Sequence, residues 1–148
     1  MASNNDIIMN LDEQYLIETN EQILKNHEKL TGQQVWIEVI PKNIARVFPK
    51  VNSVGNSGNK EEDLVEKAAY IMAVIPWAQA FFDGNRRTGI VAARTFLHDN
   101  GYDLDIDPED ENLELRKLLS EIKKHYTDLE PGIMKQMSFY ISKRLKLL

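Results

Sequence analysis

Apolar residues recur at helical spacing along most of the chain, and their interruptions mark its elements. Asn10-Leu11-Asp12-Glu13 has the form of a helix cap with an acid three residues on. Tyr15, Leu16, Ile23, Leu24 and Leu30 then give a broken apolar stripe ending near Thr31-Gly32. Residues 35–40 switch to β-formers, with Val35, Ile37 and Val39 alternating against Trp36, Glu38 and Ile40 until Pro41 stops the run, which predicts a short strand or flap. Residues 48–60 turn to Asn, Ser, Gly and Pro, the composition of a long mobile loop.

Residues 61–80 give the strongest buried helix. Leu64, Ala68, Met72 and Ile75 fall on one face, and Ala69 and Ala73 permit a neighbour to come close. Pro76 removes a backbone donor and predicts a kink or end just before Gln79, with residues 77–84 as a turn. From Asn85 the pattern is helical again through Leu97, with Ile90, Ala93 and Leu97 on one stripe and Asn100-Gly101 as a left-handed cap. Asp107-Pro108-Glu109-Asp110 reads as a helix start, followed by an apolar face of Leu115, Leu118, Leu119 and Ile122. After a break at Glu130-Pro131-Gly132, a last helix carries Ile133, Met137, Tyr140, Ile141 and Leu145 beside exposed Lys143, Arg144 and Lys146.

A length of 148 residues with 43% apolar content suits one mainly α domain over residues 1–148, with a core that needs no staples. The chain has no cysteine, and its three histidines, His27, His98 and His125, lie far apart, so a structural metal is not expected. No apolar run reaches membrane-spanning length and the start is polar, which predicts a soluble cytoplasmic protein without membrane contact. A net charge of -5 argues against direct nucleic-acid binding.

The candidate chemistry lies in Ala80-Phe81-Phe82-Asp83-Gly84-Asn85-Arg86-Arg87-Thr88-Gly89, where one acid, a turn glycine and two arginines meet the start of an apolar helix. The first backbone N–H groups of a helix have no intrahelical partner and carry partial positive charge, so this turn offers an anion seat. Gly84 lets backbone amides come close, Arg86 and Arg87 add forked cationic donors, and Asn85 can orient the loop or a phosphate. Asp83 would repel phosphate directly but can hold a magnesium ion beside it. Phe81 or Phe82 would anchor the turn in the core. From spacing alone, a helix cap with a solvated arginine face explains these residues equally well.

The segment resembles the signature of the Fic/Doc family, His-x-Phe-x-Asp-Gly-Asn-Lys/Gly-Arg. Phe81, Asp83, Gly84, Asn85 and Arg87 match in order and spacing, Thr88 continues a form common in the Doc branch, and Gln79 stands where that family has its catalytic histidine. The likeness extends more weakly over residues 64–104, and nothing before Val35 is diagnostic. It implies a compact, mostly helical Fic fold with a small β flap at residues 35–40 that docks a segment of a target protein. It also implies ATP and Mg2+ as cofactors. Gln79, Asp83 and Arg87 then occupy the catalytic positions, Gly84, Asn85, Arg86 and Arg87 hold phosphates, and Asp83 holds the metal.

Most relatives transfer AMP to a hydroxyl side chain. Arg86 replaces the second glycine of the AMP-transferring motif and Ile90 stands at its second arginine, so the resemblance is nearer the Doc branch, whose type member phosphorylates a translation factor. The sequence lacks a Ser/Thr-x-x-x-Glu-Gly/Asn inhibitory signature, which implies restraint by a separate antitoxin protein. A glutamine amide cannot take a proton near neutral pH. The chain is therefore expected to be a toxin domain disabled at Gln79 or a natural relative that binds without catalysing, and retention of the other motif residues favours the first. A catalytically silent interaction module on the same fold is the alternative. His98, His125, Trp36, Trp77 and the C-terminal Lys-Arg-Leu-Lys run are expected to be structural or surface residues.

Overall fold

The central element of the computed structural model, which describes residues 6–106, 113–125 and 127–148, is helix α4 (Lys60–Ala78). Leu64, Ala68, Met72 and Ile75 are fully buried, and so are Ala69, Ala73 and Val74 on its other faces. A helix apolar on every side must be enclosed. It is packed by α3 (Val47–Asn52), α5 (Asn85–Asp99), α6 (Leu113–Ile122) and α7 (Pro131–Arg144), and α1 (Glu13–Thr31) covers α5. Burying a side chain such as Ile75 or Met72 contributes about 1.5–3 kcal/mol each, so α4 dominates the core.

Helices α4 and α5 meet through a local exchange between Pro76 and Gly89. Proline has no N–H to give to the carbonyl four residues back, which is that of Met72. Gly89 lies against this same carbonyl: a Cβ there would sit 2.7 Å from the Met72 oxygen, a contact no larger residue can make without moving one helix. Despite Pro76, α4 continues to Ala78 before Gln79 ends it.

The start of α4 explains why residues 48–60 are not the mobile loop their composition suggests. Residues 47–52 form α3, with Val47 and Val51 buried, and Pro49 falls in the first turn, where a missing N–H costs little. Beyond it, buried Asp63 accepts hydrogen bonds from the Ser57 N–H, the Ser57 hydroxyl and the Gly58 N–H. The Lys67 ammonium donates to the Val54 carbonyl at 2.7 Å, and the Gly55 N–H donates to Glu66 at 2.6 Å. Burial would push the Asp63 carboxyl up, but the hydrogen bonds from Ser57 and Gly58 and the charge of Lys67 hold it below its ordinary value.

Helix α1 is capped by Asp12 rather than Asn10, because Asp12 is the residue whose carboxylate reaches the Tyr15 N–H, at 2.7 Å. Its inward face is Leu16, Asn20 and Leu24; Leu30 is 84% exposed and does not extend the stripe. Residues 35–40 form a single β-bridge, Val39 to Phe81, flanked by hydrogen bonds from the Ile40 N–H to Ala80 and from the Phe82 N–H to Glu38. Pro41 starts the short α2 (Pro41–Ile44) and ends this extended run.

The small antiparallel sheet lies instead between β1 (Tyr102–Leu104) and β2 (Leu145–Leu147). Leu145 thus leaves the stripe of α7 to pair with Leu104. Glu130 caps α7 through the Gly132 and Ile133 N–H groups, with Pro131 at the first position. The helix start expected at Asp107-Pro108-Glu109-Asp110 lies outside the described residues; Leu115, Leu118, Leu119 and Ile122 form the buried face of α6 as expected. No helix among the described residues is long and apolar enough to cross a membrane.

Candidate functional site

The turn from α4 to α5 is built by backbone constraints at each position. Gln79 adopts the left-handed conformation, φ 54° and ψ 56°, which costs a residue with a Cβ about 1–2 kcal/mol. Its carbonyl accepts from the Asn43 side chain at 2.9 Å, and its side-chain amide donates to the Pro76 carbonyl at 2.6 Å. Phe81 is buried and anchors the turn, whereas Phe82 is 55% exposed and stacks on Trp36 with ring centroids 5.5 Å apart.

The Asn85 side chain holds the loop. Its amide oxygen accepts from the Phe81 N–H at 2.9 Å and its amide nitrogen donates to the Phe81 carbonyl at 2.8 Å, which uses the amide on both sides. Gly84 takes φ 76° as the N-cap of α5, its N–H donates to Asp83 Oδ1, and its carbonyl receives the Thr88 N–H. Behind the turn, the buried Asn20 amide donates to the Asp83 carbonyl at 2.8 Å and to the Thr88 hydroxyl at 3.2 Å. A Cβ on Gly84 would meet Asn20 at 3.0 Å and Leu24 at 3.1 Å, so α1 is pressed directly against the turn.

Gln79, Asp83, Gly84, Asn85, Arg86 and Arg87 all line one cleft of about 770 Å³. Ligand pockets commonly run about 300–1,000 Å³, so the cleft is of a size to take a small-molecule ligand. The opposite wall holds Arg116, Ser120, Lys123 and Lys124, and the end of α1 adds His27. Among the described residues, Asp83 is the one carboxylate in this lining. The cleft is therefore strongly cationic in a chain of net charge -5.

The sequence reading missed the second wall. Its signal was the i, i+4 spacing of Arg116 and Ser120, which puts both on one side of α6, with Lys123 directly after that helix.

Among the described residues, no group of three or more His, Asp or Glu side chains could hold a metal alone. Magnesium does not require one, since it is commonly held by one or two carboxylates plus substrate phosphates and water. Asp83 beside an anion seat fits that donor set.

The other singled-out residues have structural partners. The Trp77 indole donates to the His125 carbonyl at 2.6 Å and lies under the Arg46 guanidinium. His98 and Arg94 share Asp103, whose carboxyl is held well below the usual range, first by the Arg94 hydrogen bond and then by that of His98.

A family model described as the Fic/DOC family matches residues 10–97. The match spans more than half the chain, and the protein belongs to that family, whose members typically transfer AMP or phosphate. It begins at residue 10, well before Val35, where the sequence held nothing diagnostic; Asn20 supplies the physical link, because α1 braces the motif turn. Searches of curated proteins and of solved structures found no match.

Proposed function

We propose that this chain is a Doc-like toxin domain that binds ATP with Mg2+ in the cleft and whose transfer to a target hydroxyl is disabled by Gln79. Support comes first from the convergence of Gln79, Asp83, Gly84, Arg86 and Arg87 on one cationic cleft within a Fic/DOC family chain. In this reading the α5 N-terminus and the two guanidinium groups bind the phosphates. Asp83 holds magnesium, which would neutralise phosphate charge. Asn85 and Asn20 keep the turn in shape, and Gln79 occupies the position from which a histidine would take the acceptor's proton.

Arg86 and Ile90 depart from the AMP-transferring motif and favour transfer of the terminal phosphoryl group. The extended residues 35–40, bridged to Phe81 in the motif turn, are the docking flap for the target, which in the Doc branch is a translation factor. Restraint of the active form is assigned to a separate antitoxin protein, in a cytoplasmic setting.

The alternative, a catalytically silent interaction module, draws support from Gln79 itself, whose amide donates to Pro76 and has no proton-accepting role at neutral pH. Gln79→His separates the two. With ATP labelled separately at the alpha and gamma phosphates, the enzyme reading expects gamma transfer to rise by roughly 100-fold to 10,000-fold over the Gln79 chain, together with growth arrest on induction. A silent Gln79→His variant that still binds a partner supports the module, and alpha transfer overturns the Doc-branch assignment.

A further inference from the structure

Residues 35–40 and the motif turn share a face. The bridge pairs Val39 with Phe81, and the Ile40 and Phe82 N–H groups donate to the Ala80 and Glu38 carbonyls. Backbone groups alternate in direction along such a ribbon, so Ile37 and Val39 present theirs to its open edge. Side chains alternate too. Trp36 and Glu38 therefore stand on one face, together with Phe82, which lies across from Glu38.

The contacts agree with that alternation. The Trp36 and Phe82 rings stack with centroids 5.5 Å apart and planes at 26°, and the Trp36 indole N–H donates to Glu38 Oε2 at 3.3 Å. Trp36 is 62% exposed, and Phe82 also lines the cleft. Trp77, Phe139 and Tyr140 each carry a cation of this chain over the ring. Among the described residues, Trp36 and Phe82 carry none, and nothing donates to Glu38 Oε1. Two stacked rings edged by a carboxylate suit a guanidinium, which lies flat on aromatic faces and forks onto carboxylate oxygens.

We propose that Trp36, Phe82 and Glu38 form a seat for an arginine of the target protein, close to its acceptor hydroxyl, so that this side chain selects which hydroxyl is presented to the cleft. This rests on the reading of residues 35–40 as the docking flap. A target segment laid along the Ile37 and Val39 edge turns every second side chain onto the face that carries the rings. Phe82 joins that face to the cleft.

Short serine- and threonine-centred peptides with randomised flanks are passed over the immobilised unaltered chain, and those retained are sequenced. Arginine is expected to be enriched near the centre. A retained peptide and its counterpart with citrulline, the neutral isostere of arginine, are then titrated by calorimetry into the unaltered chain, Glu38→Gln and Trp36→Ala, with circular dichroism checking the fold. Glu13→Gln, in the first turn of α1, is the charge-matched control. The arginine peptide is expected to bind the unaltered chain about tenfold tighter than the citrulline one, as stacking with a charge-assisted hydrogen bond warrants. That difference is lost in Glu38→Gln and Trp36→Ala and kept in Glu13→Gln.

Peptides retained without arginine enrichment overturn the seat and leave the flap reading standing, whereas no retained peptide overturns both. A difference that survives Glu38→Gln and Trp36→Ala, or that falls equally in Glu13→Gln, also overturns the seat. Should the arginine peptides bind as expected while Gln79→His with MgATP transfers nothing to them, the seat stands and the transferase reading fails.

Discussion

The Asn20 side-chain amide donates to the Asp83 carbonyl at 2.8 Å, joining the middle of α1 to the motif turn. The same nitrogen reaches the Thr88 hydroxyl at 3.2 Å, and both Asn20 and Thr88 are buried. One side chain thus fixes the turn on either side of Gly84, and it does so from a helix whose sequence carries no obvious motif.

Replacing Asn20 tests that brace. Asn20→Ala leaves the Asp83 carbonyl and the buried Thr88 hydroxyl without this donor and is expected to cost about 1–3 kcal/mol of unfolding free energy. Urea denaturation measures it. A change of a few tenths would show that water or a neighbour replaces the amide at no cost.

Two glycines mark the closest approaches around the site. Gly84→Ala combines φ 76° with contacts to Asn20 and Leu24, and Gly89→Ala drives a Cβ into the Met72 backbone oxygen. Overpacking of this kind typically costs about 1–3 kcal/mol. Gly89→Ala is expected to be the worse of the two, because backbone yields less than the end of a side chain. By contrast, Gly32→Ala meets nothing within 4 Å and bears only the positive-φ penalty. Thermal melts of the three variants give the order.

The polar anchor at Asp63 gives a pH signature. Its carboxyl lies below the ordinary value in the folded chain and returns to about 4 on unfolding. The unfolded state therefore binds the proton more readily, and the stabilisation is complete above the unfolded value and lost as pH falls through the folded one. The stability gap between the unaltered chain and Asp63→Asn is expected to be flat from about pH 8 to pH 6 and to shrink below about pH 4. Denaturation at several pH values checks this, and a gap that widens on acidification would contradict the assignment.

The sequence made α4, α5 and the motif turn legible because they combine periodic burial with punctuation. Leu64, Ala68, Met72 and Ile75 are all enclosed, Gln79 ends one helix, and Gly84 opens the next. What it hid depends on distant partners. Residues 48–60 look like a loop until Asp63, Glu66 and Lys67 are seen holding their backbone. Among the described residues the β-formers at 35–40 find only Phe81 to pair with, while Tyr102–Leu104 finds a partner at Leu145–Leu147, far along the chain and inside what reads as a helical stripe. The candidate site was half visible: the turn could be read residue by residue, but the α6 wall needed the fold to bring it across the cleft.

The central claim is that the bend between α4 and α5 is a phosphate cradle, and calorimetric titration of MgATP into the unaltered chain and Arg87→Ala tests it most directly. The account expects saturable binding to the unaltered chain, weakened about tenfold or more by Arg87→Ala as loss of a charge-assisted contact warrants. Gln79→His should bind within a fewfold of the unaltered chain. No binding by the unaltered chain, or equal affinity in Arg87→Ala, would contradict it.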